Sequence, residues 1–281
     1  MVIVIGKSGQ LARELLDEKP NDINAIFLGR NEINFADSKE SICKIESYNP
    51  KILINASAYT NVDKAESNIQ DAFFLNRDVP DILSSYCNKH KIRFIHISTD
   101  YIFDGNKTSG YEIDDDPNPI NIYGKSKLAG EEAISSNMTE DFSIIRTSWL
   151  YSTYGQNFVK TILSLIGKKK EIRVVDDQFG SPTYAKFLAK FIWSLSLKTS
   201  INPIYHWSDM GKTSWYQFAN KINEISSDQD SKKRNSKIKP ISSDEYKFVA
   251  QRPRCSQLLQ SQDSSNYWQE NLRLMIENLN K

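Results

Sequence analysis

Tyr123 and Lys127, four residues apart, are the pair in this sequence best suited to acid–base chemistry. In a helix, positions i and i+4 lie on one face, about one turn apart. A nearby ammonium group favours the phenolate form of tyrosine, so the pair could exchange a proton with a substrate oxygen near neutral pH. In a chain with 13 tyrosines the same spacing also arises by chance on a solvated helix face. The pair therefore gains meaning only from the segments around it.

A second pattern lies at the first strand-to-helix turn of the chain. The apolar residues 2–5 are typical of a buried parallel strand, and they lead directly into Gly6-Lys7-Ser8-Gly9. The two glycines let the backbone approach a pyrophosphate, whose charge is stabilised at the N-terminus of the next helix. Ala12 stands where a third glycine would complete the pattern. The position of the turn predicts a dinucleotide site at Gly6 and Gly9.

The end of the second predicted strand, residues 25–28, bears on the kind of dinucleotide. An acid at this strand end binds the ribose of NAD, whereas an arginine can pair with the 2′-phosphate of NADP. Gly29-Arg30 follows the strand without an acid, so Arg30 favours NADPH and leaves NADH possible. We expect Asn34 and Phe35, a few residues later, to cover the adenine.

The order of the predicted elements indicates an α/β fold. Apolar strands at residues 51–54, 93–97 and 142–146 alternate with helical segments, among them residues 72–90, and polar residues such as Thr99 follow the strand ends. This alternation predicts a Rossmann-type doubly wound parallel sheet. We expect residues 1–150 to form an NAD(P)H-binding domain. Residues 151–281 are expected to form mainly a smaller C-terminal α/β substrate-binding domain, with some segments returning to the sheet and a polar surface loop at residues 226–239.

Composition excludes several other classes of protein. Lysine and arginine number 36 against 35 acids, a net charge of +1, so no broad field favours nucleic acid or a membrane surface. Three widely spaced cysteines, Cys43, Cys87 and Cys255, favour neither a disulfide framework nor a zinc site. No apolar run approaches bilayer length. We therefore expect a cytoplasmic protein without a metal.

The motifs taken together resemble the extended short-chain dehydrogenase/reductase superfamily and, within it, the dTDP-4-dehydrorhamnose reductase family. They span nearly the whole chain, and their joint specificity is much higher than that of any one of them. The motifs are Gly6-Lys7-Ser8-Gly9-Gln10-Leu11, Asn55-Ala56-x-Ala58-Tyr59-Thr60-x-Val62-Asp63-x-Ala65-Glu66, Ser98-Thr99-Asp100-Tyr101-x-Phe103-Asp104-Gly105, Tyr123-Gly124-x-Ser126-Lys127, Arg146-Thr147-Ser148-Trp149-x-Tyr151, Asp177-Gln178-x-Gly180-x-Pro182-Thr183 and Arg252-Pro253-x-x-Ser256.

The resemblance implies the last step of dTDP-L-rhamnose biosynthesis, in which NAD(P)H reduces the C4 ketone of dTDP-4-dehydro-L-rhamnose. It makes Tyr123 the general acid, Lys127 the group that lowers its pKa and binds the nicotinamide ribose, and Thr99 the residue that holds the carbonyl. Asp100 and Trp149 are implied to face the sugar, and Arg252 to help hold the nucleotide. Cofactor contacts are implied at Gly9, Gln10, Leu11, Ala58, Tyr59 and Thr60.

Other interpretations stay open at this point. The scaffold also serves nucleotide-sugar epimerases and dehydratases, although dehydratases commonly carry an Asp-Glu pair after the catalytic threonine and this chain has Asp100-Tyr101. A related fold serves as a non-catalytic, NADP-binding regulatory subunit of methionine adenosyltransferase. Some relatives use magnesium at a dimer contact, but Lys186 occupies the region where a carboxylate would be wanted. We therefore expect no metal, and either a monomer or a homodimer.

Overall fold

The computed structural model describes residues 1–229, 236–260 and 266–279. The strands are β1 (Val2–Ile5), β2 (Ala25–Leu28), β3 (Ile52–Asn55), β4 (Arg93–Thr99), β5 (Phe142–Thr147), β6 (Leu150–Tyr151), β7 (Glu171–Val175), β8 (Phe179–Gly180), β9 (Thr183–Tyr184), β10 (Ile204–His206), β11 (Thr213–Ser214) and β12 (Lys237–Ile241). The α-helices are α1 (Gln10–Asp17), α2 (Ser38–Ser47), α3 (Val62–Ala65), α4 (Ile69–Phe73), α5 (Val79–His90), α6 (Ile122–Asn137), α7 (Phe158–Leu165), α8 (Ala185–Leu197), α9 (Trp215–Gln229), α10 (Ser243–Tyr246) and α11 (Trp268–Leu279).

The central feature is a six-stranded sheet in the order β10-β5-β4-β3-β1-β2. Every neighbouring pair in it is parallel. The chain runs from β1 outward to β2 and then crosses to β3 on the other side of β1, so the direction of winding reverses there. This confirms the predicted doubly wound parallel sheet. In such sheets ligands bind outside the carboxyl ends of the strands, at the point of reversal.

Both faces of the sheet are covered by helices. Ile3 and Ile5 of β1 belong to one apolar core, which also includes residues of α2, α5 and α6. Val2 and Val4 of the same strand belong to a second core, which includes residues of α1 and α8. Alternate residues of a strand point to opposite faces, so a strand buried on both faces must be apolar throughout. This explains the unbroken apolar run of β1.

The second half of the chain is built from smaller units. β11 pairs with β8, β12 with β7, and β6 with β9, each as a two-stranded sheet. A third apolar core lies among α7, α9 and α11, with Phe218 and Leu272 fully buried in it. β10 leaves this region and pairs with β5 at the edge of the central sheet. The division of the chain into domains at residue 150 stays a prediction.

Three local predictions differ from the structure. The helix predicted at residues 72–90 is interrupted by a π-helical turn, Phe74–Asp78, between α4 and α5. The surface loop predicted at residues 226–239 is wrong at both ends, because α9 extends to Gln229 and β12 begins at Lys237. β12 buries only Ile238 and Ile241, a pattern too sparse to recognise in the sequence. Residues 230–235 of that loop lie outside the described residues.

Candidate active site

A cleft of about 990 Å³ lies at the carboxyl ends of the central strands. It contains all the residues predicted for the site except Arg252. Those residues are Gly6, Gly9, Gln10, Leu11, Arg30, Asn34, Phe35, Ala58, Tyr59, Thr60, Thr99, Asp100, Tyr123, Lys127 and Trp149. Segments far apart in the sequence therefore converge on one volume, as the doubly wound sheet requires.

The glycine turn between β1 and α1 fits a dinucleotide pyrophosphate. Gly6 has φ +114°, and a Cβ there would lie 3.2 Å from the carbonyl group of Ala56, so a side chain would be strained and crowded. Gly9 precedes α1 as its N-cap residue, and the position of an added Cβ has no other atom within 4 Å. Gly9, Gln10 and Leu11 at the start of α1 line the cleft. A helix N-terminus that opens on a cleft is suited to a phosphate.

The end of β2 differs from the prediction. The sequence shows no acid directly after the strand, but Glu32 folds back so that its Oε2 accepts a hydrogen bond from Gly29 N at 2.9 Å. Its Oε1 lies 2.6 Å from Lys7 Nζ, and that contact with Lys7 and the Gly29 bond lower the pKa of Glu32. The expectation that no acid stands at this strand end is therefore wrong, because a three-residue turn brings one there.

Cations also surround the end of β2. Arg30 lines both the large cleft and an adjoining pocket of about 150 Å³, which is lined by Ser41 and Lys44 of α2 as well. Glu32 and Glu40 line the same small pocket, so its two cations are matched by two carboxylates. The structure thus adds Lys44 as a second cation beside the predicted Arg30.

Helix α6 holds Tyr123 and Lys127 on one face, as their spacing predicts. Asn121 caps the helix by accepting a hydrogen bond from Gly124 N at 2.8 Å on its side-chain oxygen. A Cβ on Gly124 would lie 2.1 Å from the carbonyl oxygen of Tyr101, which no side chain can accommodate. Glycine at this position therefore lets α6 approach the segment that follows β4.

The π-helical turn supplies a second anchor for α6, which the sequence did not reveal. Asn76 accepts a hydrogen bond from Tyr59 N at 2.8 Å on Oδ1, and its Nδ2 donates to Tyr59 O at 3.0 Å and to Ser126 Oγ at 2.9 Å. A Cβ on Gly130 would lie 2.0 Å from the carbonyl oxygen of Asn76. One buried amide thus holds the Tyr59 segment of the cleft against α6. Such π turns are frequent at functional sites.

The Tyr123 phenol lies beside the Thr99 hydroxyl. Burial raises the pKa of Tyr123 to about 12, the Thr99 hydrogen bond lowers it, and the nearby Asp100 raises it. The expected lowering of this pKa toward neutrality by Lys127 is therefore not what the structure shows. Burial disfavours the phenolate more than the surrounding groups favour it.

Asp100 extends the same hydrogen-bonded array. Thr99 Oγ1 donates to Asp100 Oδ1 at 3.1 Å. Asp100 is 2% exposed, and burial raises its pKa to about 7 while the nearby Ser256 and Thr99 hydroxyls lower it. Ser256 closes the Arg252-Pro253-x-x-Ser256 motif, so the C-terminal part of the chain lies next to Asp100.

Lys127 is 1% exposed and is held by two partners on β4. Its Nζ donates to Ile97 O at 2.5 Å and lies 3.2 Å from His96 Nε2. Burial lowers the pKa of Lys127 to about 8, and the nearby Glu131 carboxylate raises it. The amino group is thus fixed in place and titrates close to neutral pH.

Two stacked indoles form the opposite part of the cleft. The Trp149 and Trp215 rings are 3.5 Å apart at their centroids and 7° from parallel. Trp149 has φ +44°, which is strained for a bulky residue, and a Cβ on Gly180 would lie 2.7 Å from its ring. The sequence did not point to Trp215, because an aromatic residue at the start of an amphipathic helix is usually part of the apolar core.

Arg252 does not line the cleft. Its Nη2 lies 2.9 Å from Asp63 Oδ2, and its guanidinium lies 4.7 Å from the centre of the Phe248 ring. Asp63 belongs to α3, which follows the Ala58-Tyr59-Thr60 segment. The structure thus shows Arg252 joining the two halves of the chain next to the cleft, and its role in holding a nucleotide stays a prediction.

Within residues 1–229, 236–260 and 266–279, no helix is both long and apolar enough to span a bilayer. In the same ranges, no three His, Cys, Asp or Glu side chains cluster as metal ligands would. Lys186 Nζ lies 3.1 Å from Glu18 Oε1.

Known proteins share this architecture. The family described as RmlD substrate binding domain matches residues 1–281. The dTDP-4-dehydrorhamnose reductase of Sinorhizobium fredii is 38% identical over 261 residues, which cover 91% of this chain and 87% of that protein. The spore coat polysaccharide biosynthesis protein SpsK of Bacillus subtilis is 41% identical over 226 residues, covering 80% and 79%.

A solved structure agrees with these matches. The dTDP-4-dehydrorhamnose reductase of Bacillus anthracis, crystallised in complex with NADP, superposes with a TM-score of 0.93 at 33% identity and covers 99% of this chain and 98% of its own. The shared fold, the shared sequence and the family match over the whole length lead to one conclusion: the chain belongs to the dTDP-4-dehydrorhamnose reductase family.

Proposed function

We propose that this chain reduces the C4 ketone of dTDP-4-dehydro-L-rhamnose to dTDP-L-rhamnose at the expense of NADPH, the last step of dTDP-L-rhamnose biosynthesis. One observation carries the proposal. Tyr123, Thr99 and Lys127 converge in the same cleft as the Gly6 and Gly9 turn, so a proton donor and a dinucleotide site share one volume. The names of the relatives supply the sugar nucleotide.

The N-terminal half of the cleft would bind the cofactor. Backbone N–H groups at Gly9, Gln10 and Leu11 face the pyrophosphate position. Arg30 pairs with the 2′-phosphate, and Asn34 and Phe35 lie against the adenine. Ala58, Tyr59 and Thr60 line the nicotinamide end. When bound, the reduced nicotinamide supplies the hydride that the ketone carbon receives.

Tyr123 acts as the general acid. A proton donor must be protonated before the reaction, and the raised pKa of Tyr123 keeps its phenol intact near neutral pH. The hydroxyl of Thr99 holds the C4 oxygen, and the proton passes from Tyr123 Oη to that oxygen. Lys127 lies on the same helix face, where an ammonium stabilises the phenolate left behind.

The opposite part of the cleft would bind the sugar nucleotide. Trp149 and Trp215 both line the cleft, and the exposed part of this stacked pair offers an apolar surface to the sugar. Asp100 faces the sugar hydroxyls as a hydrogen-bonding group whose raised pKa lets it donate as well as accept near pH 7. Arg252 completes this part if its pairing with Asp63 gives way to a phosphate.

The deciding assay measures oxidation of NADPH and NADH with enzymatically prepared dTDP-4-dehydro-L-rhamnose. We expect one cofactor oxidised for each sugar reduced, with NADPH preferred. Turnover of sugar without net cofactor consumption would indicate an epimerase or a dehydratase, since both regenerate the cofactor. A folded, NADP-binding chain that reduces no ketone but captures a methionine adenosyltransferase would indicate a regulatory subunit.

The proposal also covers the location, oligomeric state and partners of the protein. We propose a cytoplasmic enzyme, a monomer or a homodimer, that acts without nucleic acid or membrane. A net charge of +1 supports this, because it offers no broad attraction to a polyanion. We also propose that residues 1–150 act as the NAD(P)H-binding domain and residues 151–281 mainly as the substrate-binding domain.

A further inference from the structure

A row of hydrogen-bonded polar side chains from β3 and β4 reaches Lys127. Ser57 N and Ser57 Oγ donate to Asn55 Oδ1 at 3.1 and 2.7 Å. Asn55 Nδ2 lies 3.1 Å from His96 Nδ1, and His96 Nε2 lies 3.2 Å from Lys127 Nζ. Asn55 and His96 are both 0% exposed. The proposed mechanism uses neither of them.

The direction of each hydrogen bond in this row follows from one backbone group. The Ser57 N–H can only donate, so the atom of Asn55 that faces it is the oxygen, and the NH₂ group faces His96. His96 Nδ1 must then be the acceptor. Burial and the nearby Lys127 hold the pKa of His96 well below its usual value, so the ring is neutral. A neutral ring with an unprotonated Nδ1 carries its hydrogen on Nε2.

The Nε2–H of His96 therefore points at Lys127 Nζ. An ammonium has three donors and no lone pair, so it opposes this N–H, whereas a neutral amine accepts it. The amine keeps an N–H for Ile97 O, its other partner. We propose that His96 is a positioning residue that favours the amine form of Lys127 over the ammonium by facing it with a donor that Asn55 holds in place.

The other charged groups around Lys127 either favour its ammonium form or are already paired with another charge. Glu131, one turn further along α6, favours the ammonium, but its carboxylate is 2.9 Å from Arg146 Nη2 and also accepts from Ser98 Oγ. Tyr123, one turn earlier, is a neutral phenol. Burial, Glu131 and His96 thus together set the protonation of the amine. The effect on turnover rests on the proposed function, whereas the effect on Lys127 itself does not.

The test is a pH titration of Lys127 by NMR, with lysine labelled with carbon-13 at Cε and no cofactor or substrate added. The resonance is assigned by its loss in Lys127→Met. In the unmodified chain we expect a midpoint near pH 8, against about 10.4 for an ordinary lysine. A midpoint at the ordinary value would overturn the proposal, and this measurement needs no further variant to fold.

Two variants then test the donor. In His96→Gln, which adds no charge, the amide can turn its oxygen to Lys127, so this variant is the deciding one. In Asn55→Asp both side-chain oxygens accept, so His96 must offer Nε2 as an acceptor, and the added carboxylate favours the ammonium as well.

We expect both variants to raise the midpoint by about one pH unit or more, while His90→Gln, at an exposed histidine of α5, leaves it unchanged. An unchanged or lower midpoint in His96→Gln contradicts the inference.

The same variants test the consequence for catalysis. The alkaline limb of the pH profile of kcat should move upward with the Lys127 midpoint in Asn55→Asp and His96→Gln, which a loss of packing alone would not produce. If the chain reduces no sugar but the Lys127 midpoints move as expected, the inference stands and the proposed function fails. If the chain reduces the sugar and the Lys127 midpoints do not move, the proposed function stands and the inference fails.

Discussion

The two halves of the cleft are built in different ways. In the N-terminal half, each functional group follows directly from a strand and the turn or helix after it, as with Gly6 after β1 and Thr99 at the end of β4. In the C-terminal half, Trp149 meets Trp215 from another helix and rests on Gly180 from another strand. The first half depends on local geometry and the second on contacts between distant segments.

This difference separates two kinds of effect. A group that a strand end positions can lose its function while the fold around it stays intact, because the strand is held by the sheet. A group that distant segments hold is part of the packing, so its loss changes affinity and stability together. The variants below test this contrast, from the largest expected effect to the smallest.

Tyr123→Phe should remove the proton donor and little else. We expect kcat to fall by roughly 100-fold or more, the usual contribution of a general acid, with cofactor affinity and thermal stability close to those of the unmodified chain. Steady-state kinetics and a cofactor titration measure this, with Tyr246→Phe, at a tyrosine 55% exposed, as the control. Near-normal turnover would show that Tyr123 is not the proton donor. It would also contradict the expectation that a locally positioned group can lose its function without loss of stability.

Asp209→Asn tests the packing of the C-terminal half. Asp209 is 1% exposed and its Oδ2 accepts from Tyr184 N at 3.1 Å and Tyr151 Oη at 3.2 Å. Burial raises the pKa of Asp209 from 3.8 to about 7, so the folded chain binds more protons than the unfolded chain between these values, and stability falls as pH rises through that window.

Asp209→Asn carries an amide in place of the carboxyl group, so position 209 does not titrate in the variant. Between pH 5 and pH 8 the free energy of unfolding of Asp209→Asn should therefore improve relative to the unmodified chain by on the order of 2 kcal/mol. Chemical denaturation at the two pH values measures the difference, and any pH-independent cost of the substitution cancels. A difference that is the same at both pH values would show that Asp209 is ionised without penalty in the folded chain.

Arg30→Ala tests cofactor recognition in the N-terminal half of the cleft. Loss of a charge-assisted contact at this exposed position should raise KM for NADPH about 10-fold and leave KM for NADH unchanged. Lys39→Ala, an exposed cation of α2 outside both pockets, is the matched control. Equal changes for the two cofactors would show that Arg30 does not read the 2′-phosphate and would leave that task to Lys44.

Trp215→Ala should have the smallest effect, and it tests whether a residue held by distant segments affects both affinity and stability. Removing one of two stacked rings should raise KM for the sugar nucleotide by about 2- to 10-fold, with kcat nearly unchanged and thermal stability slightly lower. Tyr267→Ala, at a tyrosine 53% exposed, is the control. A change confined to kcat would place Trp215 with the reacting groups instead.

The fold and most of the site could be predicted from the sequence because they depend on neighbouring residues. The apolar period of residues 2–5 and the glycines after them define one strand, one turn and one helix start, whatever the rest of the chain does. Tyr123 and Lys127 share a face because both lie within one helix. Asn76, Glu32 and Trp215 could not be assigned in this way, since each acts on a segment that only folding brings near it.

The sequence by itself determined which residues are candidates for the chemistry, in what order they follow the strands, and to which family the chain is related. Only the tertiary structure decided their protonation. Tyr123 was expected to be acidified by Lys127, yet burial raises its pKa and lowers that of Lys127. The physical reason is that desolvation depends on every segment packed around a group, most of them distant in sequence, whereas helix and strand periods depend on residues a few positions apart.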